Sequence, residues 1–294
     1  MSGFDADWLA LREPFDRAAR DPDLTDQFLR AIADRPRPDL IDLGGGTGAN
    51  FRLLAPLIQR DQSWRLIDYD VRLMRDALDA IEAWAHAQDW STDRANQDSI
   101  SIVRGPWRWS LSTQAFDLSG SLEGLPIESA DAIVTTAFLD LVSQDWVDRF
   151  AARVAQSPRP VLATLTVDGR RVWSPALETD PLISEAFLAH QGGDKGFGSS
   201  LGPAAGLRTV DALRACGLTV EHRSSDWVIR SDAHAAMIGR LLDEAIDVAC
   251  AVYPDPDERR MIADWARDRR ARIERGELTL TVGHLDLLAR PGSG

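Results

Sequence analysis

From Trp8 onward the apolar residues fall at helical spacing, first Trp8, Leu9, Leu11, Phe15 and Ala19, then Leu24, Phe28, Leu29 and Ile32. The pattern predicts one or two amphipathic helices over residues 4–35, stopped by the turn Arg35-Pro36-Arg37-Pro38. The period then changes. Leu40-Ile41-Asp42-Leu43 is a short apolar run ending in glycines, which suits a buried parallel strand. Residues 47–60 return to helical spacing, with Phe51, Leu54, Leu57 and Ile58 on one side; a strand over 64–68 and an amphipathic helix over 71–84 follow. Further on, residues 86–98 read as polar loop, and 99–103, 113–118, 131–137 and 160–167 as strands. Helices are expected over 146–155 and 209–216, the latter closed by Gly217. Strands over 218–229 and 278–289 complete the series. Strands alternating with helices imply a parallel sheet covered on both faces.

Two intervals exceed a minimal alternation. The stretch from Gly169 to Thr209 is rich in glycine, proline and polar residues, and reads as a loop insertion. The stretch from Ile229 to Thr279 reads as two amphipathic helices, over 232–252 and 255–275. The expected organisation is an N-terminal helical cap (1–36), an α/β domain (37–230 and 277–294) and a helical insertion or lid (231–276). The last strand should run antiparallel, because no ordinary crossover helix precedes it.

Composition narrows the chemistry. A chain of 294 residues with 33 basic against 46 acidic side chains carries a net charge of −13, which disfavours broad nucleic-acid binding. The stretch 258–275 is rich in arginine but interleaved with acids, and reads as a solvated helix face. The most apolar helical stretch, His234 to Val252, is broken by Arg240, Asp243, Glu244 and Asp247, so no membrane span is expected. Met1 to Asp7 is acidic where a signal peptide would be basic. Cys216 and Cys250 make no disulfide framework, and the five histidines lack metal-ligand spacing. A cytoplasmic protein without metal is the expectation, its oligomeric state open.

The strongest local signal is Asp42-Leu43-Gly44-Gly45-Gly46-Thr47-Gly48, between a predicted strand and a predicted helix. Glycines there allow a sharp turn and let a ligand lie directly on backbone, with helix N–H groups free to meet an anion. Asp68 ends the next strand, where a carboxylate can accept from both hydroxyls of a ribose. Gly44-x-Gly46-x-x-Ala49 also satisfies the dinucleotide fingerprint, so an NAD-type oxidoreductase is an alternative. A catalytically silent binding protein that keeps the cofactor fold is another.

These residues resemble the class I S-adenosylmethionine-dependent methyltransferases. The likeness rests on Asp42, Gly44, Gly46 and Gly48 for the first motif, Asp68 in Leu66-Ile67-Asp68-Tyr69-Asp70 for the second, Asp117 for the third, and the strand around Ile133-Val134-Thr135 for the fourth. It covers residues 38–168, more weakly to 230. The resemblance implies a Rossmann-like, seven-stranded, mostly parallel sheet with S-adenosyl-L-methionine as cofactor. It implies that the cofactor lies against Asp42, Gly44, Gly45, Gly46 and Gly48, the ribose beside Asp68 and Tyr69, and the adenine beside Asp117 and Leu118. Asp70, which directly precedes a helix, reads as its cap. The expected reaction is O- or N-methyl transfer to a small acceptor. Asp140, after the fourth strand, and His190 are the candidate catalytic groups, since a base is needed where the acceptor must lose a proton. Lys195, the single lysine, sits with His190 in a glycine-rich loop; it and Arg12 are the candidate substrate contacts.

Overall fold

The computed structural model of the chain describes residues 6–292. The acidic start, Met1 to Asp5, lies outside them. Alternation decides the central strand, β1 (Asp39–Leu43): Ile41 and Leu43 pack with one apolar cluster and Leu40 with another on the opposite face. Leu43 is followed by the glycine turn and then α3 (Ala49–Ile58), preceded in the chain by α1 (Ala6–Ala19) and α2 (Pro22–Ala31). The chain continues through β2 (Gln62–Asp68), α4 (Val71–His86), β3 (Ser91–Asn96), β4 (Ser99–Arg104), β5 (Trp107–Ala115) and β6 (Ala132–Thr136). It closes with α5 (Gln144–Gln156), β7 (Val161–Ser174), α6 (Asp180–Gln191), α7 (Ala205–Ala215), β8 (Leu218–Ser224), β9 (Trp227–Arg230), α8 (Ser231–Val252), α9 (Pro256–Glu274) and β10 (Thr279–Pro291).

The strands form one sheet in the order β3-β4-β5-β2-β1-β6-β7-β10-β8, with β9 also paired to β10. Strands β5, β2, β1, β6 and β7 are parallel neighbours. Only β4 and β10 run against the rest, since β3 is antiparallel to β4, and β8 and β9 to β10. The sheet is thus mostly parallel in direction, and β10 is antiparallel as expected. It has ten strands among the described residues rather than seven. It is one continuous sheet, not the two equal α/β halves that a dinucleotide fold would show.

Two strands, β3 and β9, go beyond the eight read from the sequence, and other bounds differ. Residues 86–98, read as loop, contain β3, an exposed edge strand without an apolar face. Strand β5 begins at Trp107 and ends at Ala115, earlier than the expected 113–118. The expected strand 218–229 is broken at Ser225 and Asp226 into β8 and β9. The Gly169–Thr209 stretch is not all loop: β7 runs on to Ser174, and α6 follows. The two expected insertion helices are α8 and α9.

One carboxylate ties the sheet to the helices above it. Asp286 of β10 accepts from the Leu165 backbone N–H in β7 (2.7 Å), the Ser225 hydroxyl (2.6 Å) and the Asp21 N–H at the start of α2 (2.9 Å). The upper halves of β7 and β10, with β9, extend past the parallel strands and carry their own core, in which Trp173, Trp227, Ile229, Leu241, Trp265 and Leu280 meet. Helices α6, α8 and α9 contribute to it, and Trp8, Leu11 and Phe15 of α1 pack on its border. Arg269, expected on a solvated face, is instead fully buried and paired with Asp180 of α6 at 2.5 Å. No described helix is long and apolar enough to cross a membrane.

Candidate functional site

The turn between β1 and α3 lies against the end of β2. The Gly44 and Gly45 N–H groups donate to the Ile67 carbonyl at 2.9 and 3.3 Å, and the Gly46 N–H donates to Asp68 Oδ2 at 3.1 Å. Gly44 and Gly48 are required by geometry: both have positive φ, and a Cβ would lie 2.9 Å from the Phe138 ring at the first and 2.7 Å from Ile81 at the second. No side chain caps α3, so its first N–H groups are left for a ligand.

A cavity of about 350 Å³ opens beside this turn. Gly44, Gly45, Gly46, Asp68, Tyr69, Asp117 and Leu118 line it, all of them expected cofactor contacts. Two expected contacts do not. Gly48 packs back toward Ile81 and Leu66. Asp42 points down from β1 and accepts from the Asn50 amide at 2.8 Å, its second oxygen unpartnered. Burial pushes the Asp42 carboxyl up to about 7, although Asn50 and Arg20 favour its charge. It shapes the turn from behind.

Asp68 is only 7 % exposed, not the open strand end that its position suggested. Its two oxygens take one backbone N–H each, from Gly46 and Asp70, both at 3.1 Å. A carboxylate offers about four acceptor sites, so half its capacity is left for a ligand in the cavity. Burial raises its pKa, while the backbone N–H groups oppose the shift. Asp70 has the capping role expected of it, accepting from Arg72 and Leu73 at the start of α4. Asp117 is exposed at the rim, where Ser119 donates to it from hydroxyl and backbone and holds its pKa down.

Helix α1 roofs the cavity. Leu9 stands over Gly46, Glu13 pairs with Arg52 of α3, and Arg12 pairs with Asp16 at 3.0 Å while lying over the Trp227 ring. The 192–198 loop closes another side through Lys195 and Phe197, the latter edge-on to Phe138.

Behind this first cavity is a second, of about 430 Å³. The candidate catalytic residues Asp140 and His190 line the second cavity and not the first, whereas Arg12 and Lys195 line both. Ala137 and Leu141 also border both, so one layer of side chains separates the two spaces. Asp140 Oδ1 is buried without a partner, and burial lifts its carboxyl to about 6 against the pull of Arg12 and Lys195. The His190 ring sits 3.3 Å from the Lys195 ammonium; burial and that charge lower its pKa.

Sequence reasoning missed several residues of the second cavity: Arg171, Gln191, Trp227, Glu244 and His284. The signal for His284 and Asp286 was present, since both are ionisable side chains within the apolar run Val282 to Ala289. His284 is 1 % exposed, and burial pushes its imidazole down to about 4, so it is neutral at pH 7. The arrangement as a whole can seat two small ligands side by side, with a buried carboxyl next to the partition.

No protein-family model and no curated protein matches the sequence. Among solved structures, the chain is similar to an S-adenosylmethionine-dependent methyltransferase from Geobacter sulfurreducens in complex with S-adenosyl-L-homocysteine. That likeness has 12% identity over 99% of this chain and 100% of that one, with a TM-score of 0.45. It is also similar to the cyclopropane synthase MmaA2 from Mycobacterium tuberculosis, at 14% identity over 98% and 95% of the two chains, with a TM-score of 0.47. The strand order and the glycine turn give the chain a Rossmann-like, mostly parallel α/β fold.

Proposed function

We propose that this chain is an S-adenosylmethionine-dependent methyltransferase acting on a small-molecule acceptor by in-line O- or N-methyl transfer. The observation that carries the reading is the pair of adjoining cavities, one on the glycine turn and one beyond the partition of Arg12, Ala137, Leu141 and Lys195. Bound S-adenosylmethionine supplies a methyl group already activated by its sulfonium.

The residues of the chain bind, orient and exclude water. The turn from Gly44 to Thr47 and the open N-terminus of α3 offer backbone to the cofactor. Asp68 has acceptor sites to spare for ribose hydroxyls, and Asp117 and Leu118 flank the far end. Leu9 and Phe197 cover the opening. Asp140 is the better placed of the two candidate bases: it is next to the partition, unpartnered at Oδ1 and ionised at neutral pH. His190 faces the Lys195 ammonium and serves to position that group.

Calorimetry with S-adenosylmethionine, S-adenosylhomocysteine and NAD tests the cofactor. Binding of the first two and not of NAD is expected; the reverse would overturn the reading. Incubation with trideuteromethyl-labelled S-adenosylmethionine and pooled small acceptors should then yield products heavier by one labelled methyl.

A further inference from the structure

The second cavity reverses the sign of the chain that holds it. The protein carries a net charge of −13, yet Arg12, Arg170, Arg171 and Lys195 face this space against Asp140 and Glu244. The two histidines add little charge: His284 is buried and neutral, and the His190 pKa is lowered.

Two of the four cations are already matched. Arg170 makes a fork with Asp168 and Asp226, at 2.5 to 2.9 Å. Arg12 makes a two-point contact with Asp16 at 3.0 and 3.2 Å. The other two are matched weakly or not at all. The Arg171 side chain is 6 % exposed, and its Nη2 donates to the Leu241 carbonyl at 3.0 Å. Its nearest carboxylate is Glu244, at a long 3.4 Å and itself half exposed. Its buried Nε has no partner. The guanidinium lies over the Phe187 ring, 4.0 Å from its centre. Lys195 has no carboxylate within ion-pair distance among the described residues; its one polar neighbour is His190. A guanidinium buried this deeply, with one long contact to a half-exposed carboxylate, has charge that an anion in the cavity would complete.

Gln191 apart, the remaining large side chains of the wall are apolar or aromatic, among them Trp8, Val167, Phe187, Leu241 and Val282. We infer that the acceptor is a small carboxylic acid with an apolar body, its carboxylate held by Arg171 and Lys195. This rests on the methyltransferase reading for the word acceptor; the binding preference itself does not. A carboxylate in the cavity would take charge-assisted bonds from the Arg171 guanidinium and the Lys195 ammonium together. With Asp140 near the partition, the hydroxyl or amine of such a molecule would meet the buried carboxyl while its own carboxylate stays on the cations.

The test measures binding, not turnover. The intact chain is titrated with 3-phenylpropanoate, benzoate and indole-3-acetate, and with the primary amide of each, with and without saturating S-adenosylhomocysteine. At least one carboxylate should bind about tenfold or more tightly than its amide, as expected for charge-assisted bonds to a buried guanidinium. Arg171→Met should reduce that preference to under about threefold while S-adenosylhomocysteine still binds, since Arg171 does not line the first cavity. Should Arg171→Met fold poorly, Lys195→Met, a change in an exposed loop, should shrink the preference by itself. Equal binding of carboxylates and amides, or a preference unchanged in both variants, overturns the inference. Failure of S-adenosylhomocysteine to bind overturns the cofactor reading instead, and the carboxylate preference is then read from the free protein.

Discussion

Replacing Asp68 separates the ribose contact from the helix cap two residues later. In the parent, Oδ2 and Oδ1 each hold one backbone N–H, from Gly46 and Asp70, and the remaining acceptor sites face the cavity. If those sites take two ribose hydroxyls, Asp68→Ala removes two charge-assisted bonds worth roughly 1.5–3 kcal/mol each. Water replaces part of that, which leaves a net loss of about 2–4 kcal/mol, or roughly 30- to 1000-fold in affinity for S-adenosylhomocysteine. The same change frees two N–H groups of the turn. Both border the cavity, where water can reach them, so the loss of fold stability should stay near 1–2 kcal/mol. Asp68→Asn retains one acceptor oxygen without the charge, and should fall between parent and Ala.

Asp70→Ala is the control. It removes the cap from α4, and should lower stability by about 1 kcal/mol while changing affinity less than about threefold. Calorimetry reads the affinities, and denaturant midpoints read the stabilities. Loss of binding in Asp70→Ala with binding kept in Asp68→Ala would show that the wrong carboxylate has been assigned. Full affinity in both would remove the cofactor from this site.

Three further outcomes follow from the same geometry. If Asp140 is the base, kcat/KM should rise with pH through an apparent pKa near 6, the value to which burial lifts it, and Asp140→Asn should lose both that limb and most of the rate; a limb that persists in the variant removes Asp140 from the role. Gly48→Ala should destabilise by about 2–4 kcal/mol, because φ is +80° and the new Cβ meets Ile81, whereas Gly105→Ala, with φ of +58° and open space, should lose only about 1 kcal/mol in denaturant titrations. Asp42, raised to about 7 by burial, binds its proton more tightly folded than unfolded, so its contribution is present below about pH 4 and is lost as pH rises to 7. Asp42→Asn should therefore gain in melting temperature relative to the parent between pH 5 and pH 8, and a difference flat with pH would refute the assignment.

What could be read from the sequence was the part of the site built by neighbours in the chain. The turn from Asp42 to Gly48, the helix after it and the Asp68–Asp70 pair are each encoded within about ten residues, where periodicity and turn chemistry act directly. Even there, burial was misjudged: Asp68 ends a strand, but it is buried at a cavity that residues of α1, distant in the chain, also line. Strand β3 carries no apolar face for a pattern to register. Helix α6 was hidden by the glycine- and proline-rich sequence around it, although Asp180-Pro181 at its start and Ile183, Ala186 and Phe187 beyond are a legible beginning and face.

The second cavity lay beyond sequence reading for a different reason. Gly169, with φ of +85°, looked like the end of β7, yet the strand resumes at Arg170 and pairs onward with Thr279 to Val282. That continuation raises Arg171 above the parallel strands, where α8 brings Glu244 and Leu241, α6 brings His190 and Phe187, and β10 brings His284. Only β7 and α6 are joined by a short loop, residues 175–179, and the β7–β10 pairing spans more than a hundred residues of chain. The unequal treatment of the charges is itself informative. Where long-range packing serves only stability, as at Arg269, the guanidinium is matched by Asp180 and the Pro175 carbonyl. At Arg171, whose Nε is unpartnered as that of Arg269 also is, the carboxylate is only the half-exposed Glu244 at 3.4 Å, and the side chain borders an open space. A fold that holds one buried arginine close to a carboxylate, and leaves another with a single long contact at the edge of a cavity, has placed the second where an incoming anion strengthens its pairing.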